Sequence, residues 1–380
     1  MRGVHWGQRL FSTAHRLLFW VLGACVALIL SGCGGPPPLI GIENPKVAIS
    51  DVPGLAEHKI FLATTRQPTE VAGAFFSNQR AESVGFAAVT VTIPPDHRPG
   101  TLSRARQLPP DPRKHYTIVE PVRYESDDGF IAALNSELAK RPKGQREVLF
   151  FVHGYNTSTT DSLLHLAQFV QDSGYHGVPV LFDWASAGKL SRYVYDINSA
   201  LIARSQMAKI QSVLGQTQAE GYDVFSYSMG GLVVMEGLSE LALKNQLTHT
   251  DRLKRVVLAS PDIDMDLFRT QIKNVGAISD RMYVLISKDD GVLNMAKLVA
   301  GGVPRVGATD AQELAELGVV AIDLSEIDDS NSGNHSKFSG SPEVVKLLGR
   351  GLNRNQNFSR TYGAEQLKEM LIGLPISVAF

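Results

Sequence analysis

The segment of residues 223–231 constrains the fold of this chain most. It reads DVFSYSMGG, so an apolar run ends at a serine with small residues around it, and a helix-like segment follows. This order is typical of the sharp strand-to-helix turn that exposes a nucleophilic serine above a sheet. Such a turn is crowded, and the positions two before and two after the nucleophile must be small. Ser226 and Gly230 satisfy this if Ser228 is the nucleophile, although glycine is usual at both positions.

A general base and an acid follow this serine in the expected order. Where such a turn carries a catalytic triad, the acid comes next in the chain and the histidine last. His335 is the single histidine beyond residue 290 and lies in a polar loop after the apolar run 319–322. Asp290 follows the apolar run 281–286, and a carboxylate at that strand end can fix the imidazole tautomer. The alternatives are a serine in an ordinary glycine-rich turn and a solvated surface histidine.

Two other carboxylates compete with Asp290 for the role of the acid. Asp289 precedes it directly, but Asp290 is favoured because GVL follows it, as at the start of an apolar helix. Either residue could cap that helix, and the two could divide the tasks. Asp262 is a further candidate for the acid, because it stands at the end of the neighbouring run 256–259.

The same reasoning identifies backbone donors for an oxyanion. Residues 147–152 read EVLFFV and predict a buried strand, and HGYN follows. A His-Gly turn after an early strand supplies one N–H group, and the residue after the nucleophile supplies the other. We therefore expect the N–H groups of Tyr155 and Met229 to form the oxyanion hole. His153 precedes the serine in the chain, so we expect it to brace the turn.

From residue 145 onward, predicted strands and helices alternate. This alternation favours an α/β fold with a mostly parallel sheet and helices on both faces. Earlier runs at 59–64 and 85–93 predict an N-terminal β extension near one edge of the sheet. We interpret the apolar stripe in the helical region 193–219 as core. The other predicted strands are 147–152, 179–183, 222–226, 255–259, 281–286 and 318–323, and the other helices are 160–171, 229–243 and 342–352.

Together these motifs resemble the alpha/beta hydrolase superfamily, and more narrowly an uncharacterised bacterial esterase/lipase-like lipoprotein family. The resemblance spans roughly residues 58–340 and includes FLATTR at 61–66, VLFDWAS at 180–186 and PDID at 261–264. It implies a serine hydrolase with the fold of that superfamily. The family usually has histidine directly before the nucleophile and alanine or glycine before that. This chain has Tyr227 and Ser226 there, a change that bears on fine specificity.

The first residues indicate where the protein is located. Three arginines precede the apolar segment 17–30, which is as long as the core of a signal peptide and short for a membrane span. The segment ends in LSGC, which resembles a bacterial lipoprotein box with a lipidated Cys33. The alternative is an ordinary signal peptide with an incidental cysteine. A lipid with two acyl chains on Cys33 would anchor the protein stably in a membrane, where a single chain would be marginal. Because Gly34 rather than aspartate follows Cys33, we expect an outer-membrane lipoprotein facing the periplasm where a cell has two membranes.

These predictions divide the chain into a signal peptide (1–32), a tether (33–45), a β extension (46–125), an alpha/beta hydrolase core (126–355) and a tail (356–380). The formal net charge of −1 argues against a nucleic-acid partner. No Cys/His cluster, calcium-loop pattern or glycine-rich phosphate loop occurs, so we expect no metal and no cofactor.

The expected function is therefore a membrane-anchored serine hydrolase. Its substrate would be an ester-containing small molecule or lipid, cleaved through an acyl-enzyme intermediate. Two rivals remain at this point. The same machinery serves an acyltransferase, and a hydrolase fold that has lost activity could serve as a binding or scaffold lipoprotein.

Overall fold

The computed structural model describes residues 36–329, 332–353 and 373–380. The predicted signal peptide, Cys33 and the first part of the predicted tail lie outside these residues. In the part of the chain that the structure describes, no helix has the length and apolarity needed to span a membrane.

One mixed sheet forms the centre of the described chain. Its ten strands are β1 (Ala56–Pro68), β2 (Phe76–Ile93), β3 (Thr117–Tyr124), β4 (Glu147–Val152), β5 (Val178–Asp183), β6 (Gly221–Tyr227), β7 (Leu253–Ala259), β8 (Met282–Ile286), β9 (Val320–Asp323) and β10 (Ser377–Ala379). Their spatial order is β10-β9-β8-β7-β6-β4-β5-β1-β2-β3. Every pairing from β9 to β1 is parallel, and β2, β3 and β10 add antiparallel edges. The predicted α/β fold with a mostly parallel sheet is confirmed.

Helices connect the strands and cover the sheet. They are α1 (Asp127–Ala139), α2 (Thr159–Ser173), α3 (Tyr193–Ala203), α4 (Met207–Gly215), α5 (Met229–Leu243), α6 (Met265–Val275), α7 (Gly291–Val299), α8 (Ala311–Glu316), α9 (Lys337–Gly340) and α10 (Pro342–Leu352). The single helical region predicted over 193–219 is wrong in detail, because a 3-10 turn at Arg204–Gln206 separates α3 from α4.

The N-terminal strands continue the main sheet and share its core. β1 pairs in parallel with β5, with Phe61 opposite Val180. The ring of Phe130 in α1 packs against Phe61 at 5.6 Å and against Phe86 of β2 at 4.6 Å. These aromatic side chains are buried and join one apolar cluster with the central strands. One core therefore spans the strands before α1 and those after it.

A buried ion pair links β1 to the loops at the carboxyl end of the sheet. Arg66 Nε lies 2.9 Å from Asp183 Oδ1, and both side chains are inaccessible to solvent. The guanidinium also donates to the carbonyl oxygens of Ser186 at 2.8 Å and Thr157 at 2.7 Å. Thr157 follows β4 and Ser186 follows β5, so this cation fixes two loops beside the crevice where open α/β sheets bind ligands.

We predict that Arg66→Met lowers the free energy of unfolding by about 3–5 kcal/mol, because it leaves the carboxylate of Asp183 buried and unpaired. Burial raises the pKa of Asp183, but the charge of Arg66 and the hydrogen bond from His153 outweigh burial and hold it at about 2. The folded-state pKa lies below the unfolded value of about 3.9. The pair therefore stabilises the fold above the unfolded pKa, and this contribution is lost as the pH falls through about 2.

Denaturant unfolding at neutral and acid pH measures this effect. The free-energy gap between wild type and Arg66→Met should narrow as the pH falls. Arg269→Met is the matched control, since Arg269 pairs with Asp266 at 2.9 Å on a partly exposed surface. It should cost less than about 1 kcal/mol. Equal losses from the two substitutions would refute the role given to the buried pair.

Candidate active site

Ser228 lies in a tight turn between β6 and α5. Its backbone has φ 54° and ψ −126°, a left-handed conformation that is uncommon for a residue with a side chain. Three backbone hydrogen bonds hold it. The Ser228 N–H donates to the carbonyl of Ala259 at 2.9 Å, and its carbonyl accepts from the N–H groups of Gly231 at 3.0 Å and Asp262 at 3.1 Å. The turn therefore points the hydroxyl away from the strand.

Close packing explains the small residues around Ser228. A Cβ atom at Gly230 would lie 2.5 Å from the carbonyl oxygen of His153 and closer still to that of Val152. A Cβ atom at Gly154 would lie 2.9 Å from the Cβ of Ser228. The loop after β4 thus lies directly against the serine turn, and only glycine allows this approach.

Three buried side chains form a hydrogen-bonded chain at the end of the sheet. His335 Nε2 lies 3.0 Å from Ser228 Oγ, and His335 Nδ1 lies 2.6 Å from Asp290 Oδ2. A carboxylate only accepts hydrogen bonds, so the imidazole proton is on Nδ1 and Nε2 is free to accept the serine hydroxyl. The other oxygen of Asp290 accepts the N–H of Leu293 at 2.9 Å. Asp290 therefore caps α7 and contacts the histidine at the same time.

Asp289 has other partners. Lys337 Nζ donates to its two oxygens at 2.8 and 3.0 Å, and Asn334 Nδ2 donates at 2.7 Å. Burial raises the pKa of Asp289, but hydrogen bonds from Lys337 and Ser287 lower it further, so the net direction is down. Asp289 therefore fixes the loop that carries the histidine and does not orient the imidazole.

Asp262, the other alternative acid, makes no hydrogen bond to the imidazole within the described residues. It accepts the hydroxyl of Tyr193 at 2.8 Å and lies 3.1 Å from Arg305 Nε. Burial raises the pKa of Asp262, although the charge of Arg305 acts against this. Sequence reasoning missed Tyr193 and Arg305, because no local pattern pairs them with Asp262.

Tyr227 occupies the position directly before Ser228, where the family that the sequence resembles usually has histidine. Its ring lies 5.0 Å from the His335 ring and 4.8 Å from that of Phe338. Its hydroxyl is 2.8 Å from Ser336 Oγ. Burial raises the pKa of Tyr227, so the phenol is neutral. The side chain of Tyr227 therefore packs against the loop that carries His335.

The two expected oxyanion donors lie beside the serine. Met229 is the first residue of α5, where aligned N–H groups carry partial positive charge. Tyr155 follows Gly154, which packs on the serine turn. Within the described residues, neither the Tyr155 N–H nor the Met229 N–H donates to another group. Both donors are therefore available to a bound carbonyl oxygen. Their role as an oxyanion hole stays a prediction.

His153 and Trp184 brace the loop that carries Tyr155. Their rings stack at 5.1 Å with an interplanar angle of 11°. Trp184 Nε1 donates to the carbonyl of His153 at 2.7 Å. His153 is buried, and its ring nitrogens lie near the carbonyl oxygens of Gly154 and Trp184 and not near Ser228, so we interpret its role as structural.

A cavity of about 810 Å³ opens above Ser228 and His335. One wall is the segment 190–195 at the start of α3, and the other is α7. Its size is in the range of pockets for drug-sized ligands. The interpretation of the stripe in 193–219 as core is incomplete for Tyr193, which packs against the core and also lines this cavity. Helical spacing reveals an apolar face but does not show what covers it. In the described ranges, no cluster of three or more potential metal ligands occurs.

Comparisons with known proteins agree with this architecture. Residues 127–351 match the model of a family described as alpha/beta hydrolase of unknown function (DUF900). The match covers more than half of the chain, and the protein belongs to this alpha/beta hydrolase family. The predicted resemblance to the superfamily is thereby confirmed. No curated protein matches the chain.

Solved structures of esterases are also similar, at low identity. An esterase of Pyrobaculum calidifontis is 15% identical, with a TM-score of 0.35 over 56% of this chain and 78% of that one. Esterase B of Lactobacillus rhamnosis is 8% identical, with a TM-score of 0.34 over 94% and 99%. A fungal esterase of Rhizomucor miehei is 12% identical, with a TM-score of 0.33 over 83% and 86%. Likeness at this level says nothing of activity.

We predict that Gly230→Ala destabilises the protein by about 1–3 kcal/mol, because the added methyl group overlaps the backbone after β4. Gly276→Ala is the control, since a Cβ there meets no atom within 4 Å. That substitution should stabilise by about 0.4–1 kcal/mol through the unfolded state. Denaturant unfolding of both variants gives the comparison. A Gly230→Ala protein as stable as wild type would contradict the tight packing at the serine turn.

Proposed function

We propose that this protein is a serine hydrolase that cleaves carboxylic esters through an acyl-enzyme intermediate. The observation that carries the proposal is the hydrogen-bonded chain from Ser228 through His335 to Asp290 at the base of a large cavity. Membership of an alpha/beta hydrolase family supports hydrolysis in general. The ester specificity and the residue roles are our proposal.

In the first half-reaction, Ser228 Oγ attacks the ester carbonyl carbon while its proton passes to His335 Nε2. Asp290 holds the imidazole by its Nδ1–H and stabilises the imidazolium that forms. Negative charge develops on the carbonyl oxygen, where the N–H groups of Tyr155 and Met229 stabilise it. The ester C–O bond then breaks. The alcohol leaves with the proton of His335, and the acyl group stays on Ser228.

In the second half-reaction, water replaces the alcohol. His335 removes a proton from the water, whose oxygen attacks the acyl carbon. The bond to Ser228 Oγ breaks, and the serine regains its proton from the imidazole. The carboxylic acid leaves and the enzyme returns to its starting state. The arrangement uses no group beyond the protein and water.

We also propose that Cys33 carries the lipid anchor, which attaches the enzyme to the bacterial cell envelope. The support is the LSGC sequence at the end of an apolar segment with arginines before it. In a cell with two membranes, the protein would face the periplasm from the outer membrane.

We predict that Ser228→Ala removes activity on a chromogenic short-chain ester, with a decrease of about 10⁴-fold or more. It should also remove covalent labelling by a fluorophosphonate probe, because no activated hydroxyl remains. Ser226→Ala is the matched control. Ser226 is buried beneath the turn, and its hydroxyl makes only a long hydrogen bond to Val257 at 3.4 Å. Labelling should persist in that variant. Full labelling of Ser228→Ala would exclude Ser228 as the nucleophile.

The neighbouring carboxylates provide a second prediction. Asp290→Asn should lower kcat by about 10⁴-fold, because an amide donor at this position favours the wrong imidazole tautomer. Asp289→Asn keeps a similar shape and does not touch His335, so we expect a decrease of less than about tenfold. Steady-state kinetics of both purified variants test the assignment. A larger loss from Asp289→Asn would reassign the acid.

A further inference from the structure

Exposed apolar side chains concentrate at the mouth of the active-site cavity. In the described residues, twelve large apolar side chains are exposed, and six of them lie on the two segments that flank this mouth. We call these six the apolar rim. They are Leu190, Val194, Val292, Met295, Leu298 and Val299. Exposed apolar side chains that concentrate in one region of a monomer often mark an interaction site.

Helix α7 shows most clearly that apolar side chains are left exposed at the cavity mouth. Its inner face buries Leu293 and Ala296. Its outer face presents Met295, which is 62% exposed, and Leu298, which is 73% exposed. Asn294 is also exposed, so the outward side of the helix is mainly apolar. No other part of the described chain covers the outer face of α7. This helix begins directly after Asp290 and therefore lies beside the site.

The charged residues within the two rim segments have one sign. Lys189 and Arg192 flank Leu190 and are exposed. The segments 184–195 and 291–300 contain no aspartate or glutamate. An apolar tip between two cations fits a surface of anionic lipid, where each lysine or arginine adds electrostatic attraction.

Residues 37–39 also lie at this end of the sheet. The guanidinium of Arg104 donates to the carbonyl oxygen of Pro37 at 3.1 Å. Its Nε lies 3.2 Å from Asp161 Oδ1 in the first turn of α2. The N–H of Leu39 donates to Thr160 in the same turn at 3.3 Å. Because α2 follows the loop after β4, its first turn lies at the carboxyl end of the strands, where Ser228 lies.

A second set of contacts links Pro36 to the rim. Pro36 and Asn78 line a common cavity of about 260 Å³. Asn78 Nδ2 donates to the carbonyl of Ala187 at 3.0 Å, shortly before Lys189. Cys33 precedes Pro36 by three residues, which span about 10 Å when fully extended. A lipid on Cys33 would therefore hold this end of the molecule close to the membrane.

We propose that the apolar rim docks on an anionic lipid surface and that the cavity receives the acyl chain of an ester lipid from that surface. The substrate class rests on the proposed esterase function, and the orientation rests on the proposed anchor. Leu190 and the outer face of α7 enter the lipid, while Lys189 and Arg192 contact headgroups. The ester then reaches Ser228 directly from the membrane, without passing through water.

Spin labels test the docking without requiring activity. The lipidated mature protein carrying Ser228→Ala, in which the lipid blocks the thiol of Cys33, is reconstituted in vesicles of phosphatidylglycerol and phosphatidylcholine. A nitroxide is attached in turn through Leu190→Cys, Leu298→Cys or Leu243→Cys. Leu243 is the matched control, because it is 68% exposed and ends α5 at the opposite end of the sheet. Frequent collision of the nitroxide with oxygen indicates a lipid environment. Frequent collision with a water-soluble nickel chelate indicates exposure to solvent.

We expect nickel collision to be several-fold lower at positions 190 and 298 than at 243, with oxygen collision higher. Equal nickel collision at the three positions would overturn the docking proposal. In vesicles of phosphatidylcholine alone the shielding should weaken, and unchanged shielding would remove the role of Lys189 and Arg192. If positions 190 and 298 are shielded from nickel but the wild-type protein hydrolyses no ester, the docking proposal stands and the proposed function is refuted.

Discussion

The backbone strain at Ser228 is the feature on which the rest of the site depends. A side chain at φ 54° costs on the order of 1–3 kcal/mol, and it persists only where the surroundings enforce it. Here, three hydrogen bonds enforce it: the Ser228 N–H donates to Ala259, and the Ser228 carbonyl accepts from Gly231 and Asp262. The absence of a side chain at Gly230 lets α5 start against the backbone of β4. The same turn that exposes the hydroxyl therefore sets the Met229 N–H beside the loop that carries Tyr155.

The sheet order brings the remaining groups to this turn. β6 lies between β4 and β7, so Ser228 has the loop that carries Tyr155 on one side and the loops after β7, β8 and β9 on the other. Asp290 and His335 come from separate loops, which Asp289 and Lys337 join by an ion pair. Tyr227 adds a second contact between the serine turn and the histidine loop. The histidine is thus fixed from three directions before any ligand binds.

The sequence predicted the core of this arrangement because its signals are local. Apolar runs mark the central strands, and a polar or small residue after each run marks the site, as at Ser228, Asp290 and His335. Features that depend on distant partners could not be predicted in this way. The contact of Tyr193 and Arg305 with Asp262 requires the folded chain. β3 carries Pro121 and an exposed second half, and β10 has three residues, so neither shows a strand pattern. The outer face of α7 looks like core until the structure leaves it uncovered.

The most direct test of the account is to trap the acyl-enzyme. The wild-type protein is mixed with a short-chain ester, quenched in acid within the first turnovers, digested and mapped by mass spectrometry. The account predicts a mass increase equal to the acyl group on the peptide that contains Ser228, formed at the rate of the first alcohol release. Hydrolysis that proceeds with no adduct, or with the adduct on another side chain, would contradict it.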